Sequence, residues 1–175
     1  LWETDGFNPD NEKYWRVIAS ATITDNIAVV TFARGETIAG IDLGTKGKSK
    51  KWLWKHDNLG TDAATPIAKD GKVYILKDAK IGRGKVTCLD ARTGDTLWES
   101  MLPRSAKIFY ASPILAGDSL VIPREDGVVF TARITSNGLT DIVENSLLET
   151  IIASPVAVNG KLLIRSDQHL FCFEG

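Results

Sequence analysis

Gly84-Lys85-Val86-Thr87-Cys88-Leu89-Asp90-Ala91-Arg92-Thr93-Gly94-Asp95-Thr96-Leu97-Trp98-Glu99 reads as strand, turn and strand. Lys85 to Asp90 alternates from side to side, the pattern of a strand whose two faces meet different surroundings. Asp90 to Asp95 supplies the turn, with an aspartate to begin it and Gly94 where a positive φ is wanted. Thr96 to Glu99 then returns as an outer strand. Upstream, Ala64 to Ala68 predicts a short inner strand, Asp70-Gly71 a tight hairpin, and Lys72 to Leu76 the next strand. A loop carrying Gly82 and Gly84 joins it to the quoted stretch. Four strands in this order make one unit.

The unit recurs. Ala64-Thr65-Pro66-Ile67, Ala111-Ser112-Pro113-Ile114 and Ala153-Ser154-Pro155-Val156 each lead into a hairpin and a strand, and Ala19-Ser20-Ala21-Thr22 opens a weaker first copy. The openings lie 45, 47 and 42 residues apart. Periods of this length with strand-like copies indicate propeller blades, whereas helical solenoids would need apolar residues at intervals of three and four. The sequence therefore predicts an all-β fold: a β-propeller of four blades of about four antiparallel strands in one domain, residues 1–175, with blades near 16–56, 62–101, 108–146 and 150–175 plus 1–5. The first copy has Thr37 to Asp42 as third strand and Lys51 to Trp54 as fourth. The third copy departs from the pattern: Gly127 to Ile134 is a good third strand, but Ser136-Asn137-Gly138 replaces the usual turn and Val143 stands where a tryptophan belongs. That junction is expected to pack less fully. The fourth copy ends three strands in, after Gln168 to Phe173, and Leu1-Trp2-Glu3, which repeats the residue types of Leu97-Trp98-Glu99, is the candidate to close it.

Composition narrows the function. Lys and Arg number 21 against 22 Asp and Glu, a formal charge of −1, so the chain lacks the basic balance that a phosphate backbone attracts. Hydrophobic residues are 43% and charged residues 25% of the 175, values of an ordinary folded domain. No apolar run approaches the ~18–20 residues of a membrane helix, and Leu1 to Asp5 has neither the basic start nor the apolar stretch of a signal peptide.

The stretch from Gly84 to Glu99, with the Ala-Ser-Pro openings at Ala111 and Ala153, resembles the repeat of the pyrroloquinoline-quinone-type β-propellers over nearly the whole chain. The resemblance implies that the outer-strand tryptophans, by position Trp2, Trp54 and Trp98, dock against the neighbouring blade and bury aromatic surface between wedges. Members include quinone-dependent alcohol dehydrogenases, a scaffold lipoprotein of bacterial outer-membrane barrel assembly, and other exported proteins, so a periplasmic or extracellular location is implied. They usually carry seven or eight blades. Four blades leave three readings: a small closed ring, half of a ring completed as a homodimer by a second copy, or a portion of a longer chain.

Catalytic groups are sparse. The family's enzymes hold the quinone over adjacent cysteines, but Cys88 and Cys172 lie 84 residues apart, at the same third-strand position of two blades, and are expected to be buried small hydrophobes. His56 and His169 lack partners at metal-ligand spacing, and Asp167-Gln168-His169 reads as a hairpin turn. No serine sits in Gly-x-Ser-x-Gly, and Gly82-Arg83-Gly84 lacks the rest of a phosphate loop. Asp42 and Asp90 begin turns, where a carboxylate accepts local backbone hydrogen bonds. Lys46, Lys48, Lys50 and Lys51 form one dense basic run, read first as a solvated loop and second as a contact for an anionic surface that Arg104, Lys107 and Arg124 extend. Ser20, Thr65, Ser112 and Ser154 fall on the inner strands and suit a wet channel. The leading expectation is a non-enzymatic binding or scaffold module without cofactor or metal, presenting loops to a protein partner or a cell-surface polymer, neither binding nucleic acid nor spanning a membrane. The alternatives are a quinone-dependent dehydrogenase or a fragment of one, and a recognition domain of a larger protein.

Overall fold

A computed structural model describes residues 3–44, 52–78 and 81–174. The blade-closing pair Leu1 and Trp2, and the basic run Lys46, Lys48, Lys50 and Lys51, lie outside the described residues. Four antiparallel sheets follow one another along the chain. The first contains β1 (Thr22–Thr24), β2 (Ile27–Phe32), β3 (Thr37–Asp42) and β4 (Trp52–Asp57); the second contains β5 (Ile67–Lys69), β6 (Lys72–Leu76), β7 (Lys85–Asp90) and β8 (Thr96–Met101). The third contains β9 (Ile114–Ala116), β10 (Ser119–Pro123), β11 (Val128–Thr135) and β12 (Gly138–Ser146), and the fourth contains β13 (Val156–Val158), β14 (Lys161–Arg165) and β15 (Leu170–Glu174). Each sheet is a meander in sequence order, as a propeller blade requires. Among the described residues no helix is long and apolar enough to cross a membrane.

The hairpins follow from local chemistry. Asp70 and Gly71 both take positive φ, 51° and 71°, and Asn159 and Gly160 repeat this at 49° and 73°, the paired left-handed conformation of a two-residue turn whose twist matches its strands. The inner strands start later than the sequence reading placed them: β5 begins at Ile67 and leaves Ala64 to Pro66 unpaired. Proline has no N–H for the ladder and holds the residue before it extended, so this part of the second, third and fourth copies, with Pro66, Pro113 and Pro155, joins no sheet.

Blades meet through side-chain packing at three joints. At the first, Ile27, Val29 and Ile38 meet Val73, Ile75, Leu89 and Ala91, with Trp54 and Leu59 against them. At the second, Tyr74, Leu76, Val86, Cys88 and Trp98 meet Leu120, Ile122, Val128 and Phe130, with Leu102 and Phe109 of the connecting segment sealed between. The third is smaller, built on Val121 and Val129 against Ile151 and Ile164. Alternation along the strands explains this: Tyr74 and Leu76 face forward to the next blade, Val73 and Ile75 face back. Among the described residues, no such cluster joins the fourth blade to the first.

Candidate functional site

Strand register makes the joints comparable residue by residue. Trp54 pairs with Gly40, Trp98 with Cys88, and Val143 with Thr131, so the three hold one position in successive blades. The Trp54 indole lies against Gly94 of the next blade and donates from Nε1 to the Ala91 carbonyl at 2.9 Å, while His56 Nε2 lies 2.8 Å from the Gly94 carbonyl. The Trp98 ring is 7% exposed within the second joint, whereas Val143 is 51% exposed. At the third joint a groove of about 530 Å³ opens, lined by Leu115, Ala157, Val158, Gly160, Leu162 and Phe173.

The polar residues assigned to the inner strands come together. Ser20 donates its backbone N–H to Thr65 Oγ1 at 3.0 Å, Thr65 N–H donates to Ser112 Oγ at 2.9 Å, and Ser112 N–H donates to Ser154 Oγ at 2.9 Å. The second, third and fourth blades thus each use a hydroxyl to satisfy an amide that the preceding blade leaves outside any sheet. Two positions before each of these residues stand Ile18, Ala63, Tyr110 and Ile152, and the three large ones are exposed. Sequence reasoning missed this row. Its signal was present as the apolar residue preceding each Ala-Ser or Ala-Thr opening, but nothing in the sequence sets its exposure apart from that of core residues.

Ion pairs and carboxylates near this row serve the connecting segments. The buried Asp78 carboxylate accepts the backbone N–H groups of Asp62, Ala63 and Ala64 at 2.7–3.1 Å, and Lys77 Nζ donates to the carbonyls of Gly35 and Gly60. Arg16 pairs with Asp62, and that partner raises the guanidinium pKa further. Glu125 Oε1 repeats the clasp on the N–H of Ile108.

Other assigned residues fall as follows. Asp90 Oδ1 accepts from the N–H groups of Arg92 and Thr93, the Thr93 bond doing most to hold the carboxyl below its ordinary pKa, and Asp42 Oδ1 accepts from Gly44 N–H. The Ser166 hydroxyl caps the turn that holds His169, accepting the His169 backbone N–H, and the neighbouring Glu149 carboxyl is held down by the Ser166 hydroxyl and by His169. Arg124 does not extend a basic surface: it is buried, bound to Asp126 at 2.8 Å and laid over the Phe130 ring. The two cysteines do occupy one position, since Tyr74 pairs with Cys88 as Leu163 pairs with Cys172, but only Cys88 is buried. Burial pushes its thiol up to about 11, while Cys172 is exposed because no blade packs on that face. Both thiols are free, and among the described residues no three His, Cys, Asp or Glu side chains gather as a metal site would require.

No protein-family model matches the chain. The outer membrane protein assembly factor BamB of Salmonella typhimurium is 32% identical over 112 residues, which are 64% of this chain and 26% of that protein. The crystal structure of BamB from Moraxella catarrhalis superposes with a TM-score of 0.66 at 20% identity, over 90% of this chain and 46% of that one. The computationally designed Ika4 protein superposes with a TM-score of 0.69 at 18% identity, over 94% of each chain. The chain therefore spans about a quarter of the length of its curated relative and just under half of the Moraxella structure. Repeat wording, blade register and these likenesses agree on the fold: the chain is an array of β-propeller blades, similar to those of BamB.

Proposed function

We propose that the chain is a non-enzymatic scaffold module of an exported protein, acting in outer-membrane protein assembly by binding a protein partner along its inner edge. The likeness to BamB, a named assembly factor, carries the reading. The row Ile18, Tyr110 and Ile152 supports it, since exposed apolar and aromatic side chains beside a line of hydroxyls and amides suit an extended polypeptide better than a small molecule. Rigidity comes from the hydroxyl ladder and the Lys77-Asp78 clasp, so binding orders few protein groups and loses little entropy. The test is titration of the immobilised chain with a denaturant-diluted outer-membrane β-barrel polypeptide. Saturable binding, weakened at least about tenfold in a Tyr110→Ala, Ile152→Ala double variant, is expected from the loss of two exposed anchors. Equal binding by the double variant, or saturable uptake of pyrroloquinoline quinone with calcium and a change in quinone absorbance, would overturn the reading.

A further inference from the structure

Three of the four blades join their second strand to their third with four residues: β2 ends at Phe32 and β3 begins at Thr37, β10 ends at Pro123 and β11 begins at Val128, and β14 ends at Arg165 and β15 begins at Leu170. The second blade places eight residues between Leu76 and Lys85. The fold does not require this length, since four residues close the same hairpin elsewhere, and lengthened connections on a rigid scaffold are where binding groups are carried. Within the longer loop Ile81 is 96% exposed, and Gly82 leaves open space, because a Cβ there would meet nothing within 4 Å. Between this loop and the end of β8 with the segment after it lies a pocket of about 380 Å³, lined by Ile81, Gly82 and Arg83 on one side and by Met101, Arg104 and Ser105 on the other.

Arg83 Nη1 donates to the Ala106 carbonyl, which fixes the guanidinium against the opposite wall. Its Nε is the one buried side-chain nitrogen or oxygen without a hydrogen-bond partner among the described residues, a donor whose water has been removed and not replaced. A bond through Nη1 leaves the Nε–Nη2 edge of the fork unused. By that same edge Arg16 holds Asp62 and Arg124 holds Asp126, the latter at 2.8 and 3.1 Å. Arg104 is exposed, and among the described residues no carboxylate pairs with it or with Arg83. Two acidic residues close in sequence are engaged elsewhere: Asp78 accepts the N–H groups of Asp62, Ala63 and Ala64, and Glu99 is bonded to Lys85. Ser105 Oγ accepts the Lys107 N–H at 3.1 Å, which leaves its own O–H as a donor.

These groups select a ligand. In this chain one arginine edge suffices for one carboxylate, at Asp62 and at Asp126, so two arginines and a hydroxyl around one pocket exceed what a carboxylate needs and match the several oxygens of a phosphate. Ile81 and Met101 are exposed in the same lining, so the site is apolar beside its cations. An exposed apolar tip next to guanidinium groups suits an anionic bilayer, where the apolar side chain enters the boundary below the headgroups and the cations meet phosphate. We propose that the pocket of Arg83, Arg104 and Ser105 holds the phosphate of an anionic phospholipid headgroup, with Ile81 and Met101 against the acyl boundary. None of the inner-edge residues Ile18, Tyr110 and Ile152 takes part, so the outcome is independent of the scaffold reading.

Flotation of the 175-residue chain with phosphatidylglycerol vesicles at about 0.15 M ionic strength, where weak surface attraction is screened, tests this. Saturable binding is expected. Ile81→Ser should weaken it at least about tenfold, by removing an apolar side chain from the boundary, and Arg104→Gln at least about fivefold, by removing one cation from an anionic surface. Both residues are exposed, so neither substitution threatens folding. Arg92→Gln, at an exposed arginine beyond the far end of β7, should leave binding unchanged, and phosphatidylcholine vesicles should bind far less. No binding to phosphatidylglycerol, equal binding to phosphatidylcholine, indifference to Arg104→Gln, or a loss at Arg92 as large as at Arg104 would overturn the proposal. So would displacement by inorganic phosphate or by polyglutamate at constant ionic strength with Ile81→Ser without effect, which would assign the pocket to free phosphate or to an acidic protein segment.

Discussion

The forward faces of the second and fourth blades carry the same strand pairing, Tyr74 with Cys88 in one and Leu163 with Cys172 in the other, yet one is core and the other is surface. Alternation along β7 and β15 fixes which side of the sheet a residue takes; whether that side is dry depends on the presence of another blade. Burial in this fold is therefore a property of the joint and not of the residue. The third blade lies between these cases, since it has a successor but meets it with a smaller buried cluster and with an exposed Val143 in place of a docking tryptophan.

The largest expected effect breaks the second joint. Trp98→Ala should cost about 3–5 kcal/mol in urea unfolding, the range for large aromatics removed from cores, whereas Val143→Ala at the same strand position should stay within about 0.5 kcal/mol. Similar costs at both would mean that the joints are not graded. Glycines extend the contrast. Gly94 and Gly160 share a positive φ, 79° and 73°, so alanine strains the backbone at both, but a Cβ at Gly94 would lie 2.6 Å from Trp54 Cγ while nothing lies within 4 Å of one at Gly160. Gly94→Ala should therefore destabilise by about 1–3 kcal/mol more than Gly160→Ala in thermal or urea denaturation, the cost of overpacking.

The smallest effect concerns pH. Partial burial works to raise the Asp126 pKa, but Arg124 outweighs it and holds the carboxyl below its ordinary value. A carboxyl lowered on folding contributes stability that is complete above its unfolded pKa of about 3.9 and is lost as pH falls through the folded value. Asp126→Asn should thus unfold in urea with a weaker pH dependence below about pH 4 than the wild type. An identical dependence would remove this pair from the second joint's contribution.

Much of the blade was legible in the sequence. Thr37 to Asp42, Lys72 to Leu76 and Lys85 to Asp90 form the strands their alternation indicates, and Val143 marks the weak junction because a docking tryptophan is conspicuous where it is missing. Arg124 was not legible: a lone arginine after a strand looks solvated, and only the fold brings Phe130 and Asp126 under it. Cys172 failed for the reason the comparison gives, since a repeat reports equivalent positions but not which blade has a neighbour. The apolar row of Ile18, Tyr110 and Ile152 was hidden likewise, because an apolar residue next to an Ala-Ser opening reads as core until the inner edge is seen.

The claim that joints decide burial is tested most directly by the reactivity of the two free thiols toward a maleimide, followed by peptide mass spectrometry, at concentrations where the mass is that of one copy. Cys172 should be modified as an exposed thiol and Cys88 should stay silent until the protein unfolds, its thiol buried and pushed up to about 11. Equal modification of both in the native protein, or a Cys172 as silent as Cys88, would contradict the account.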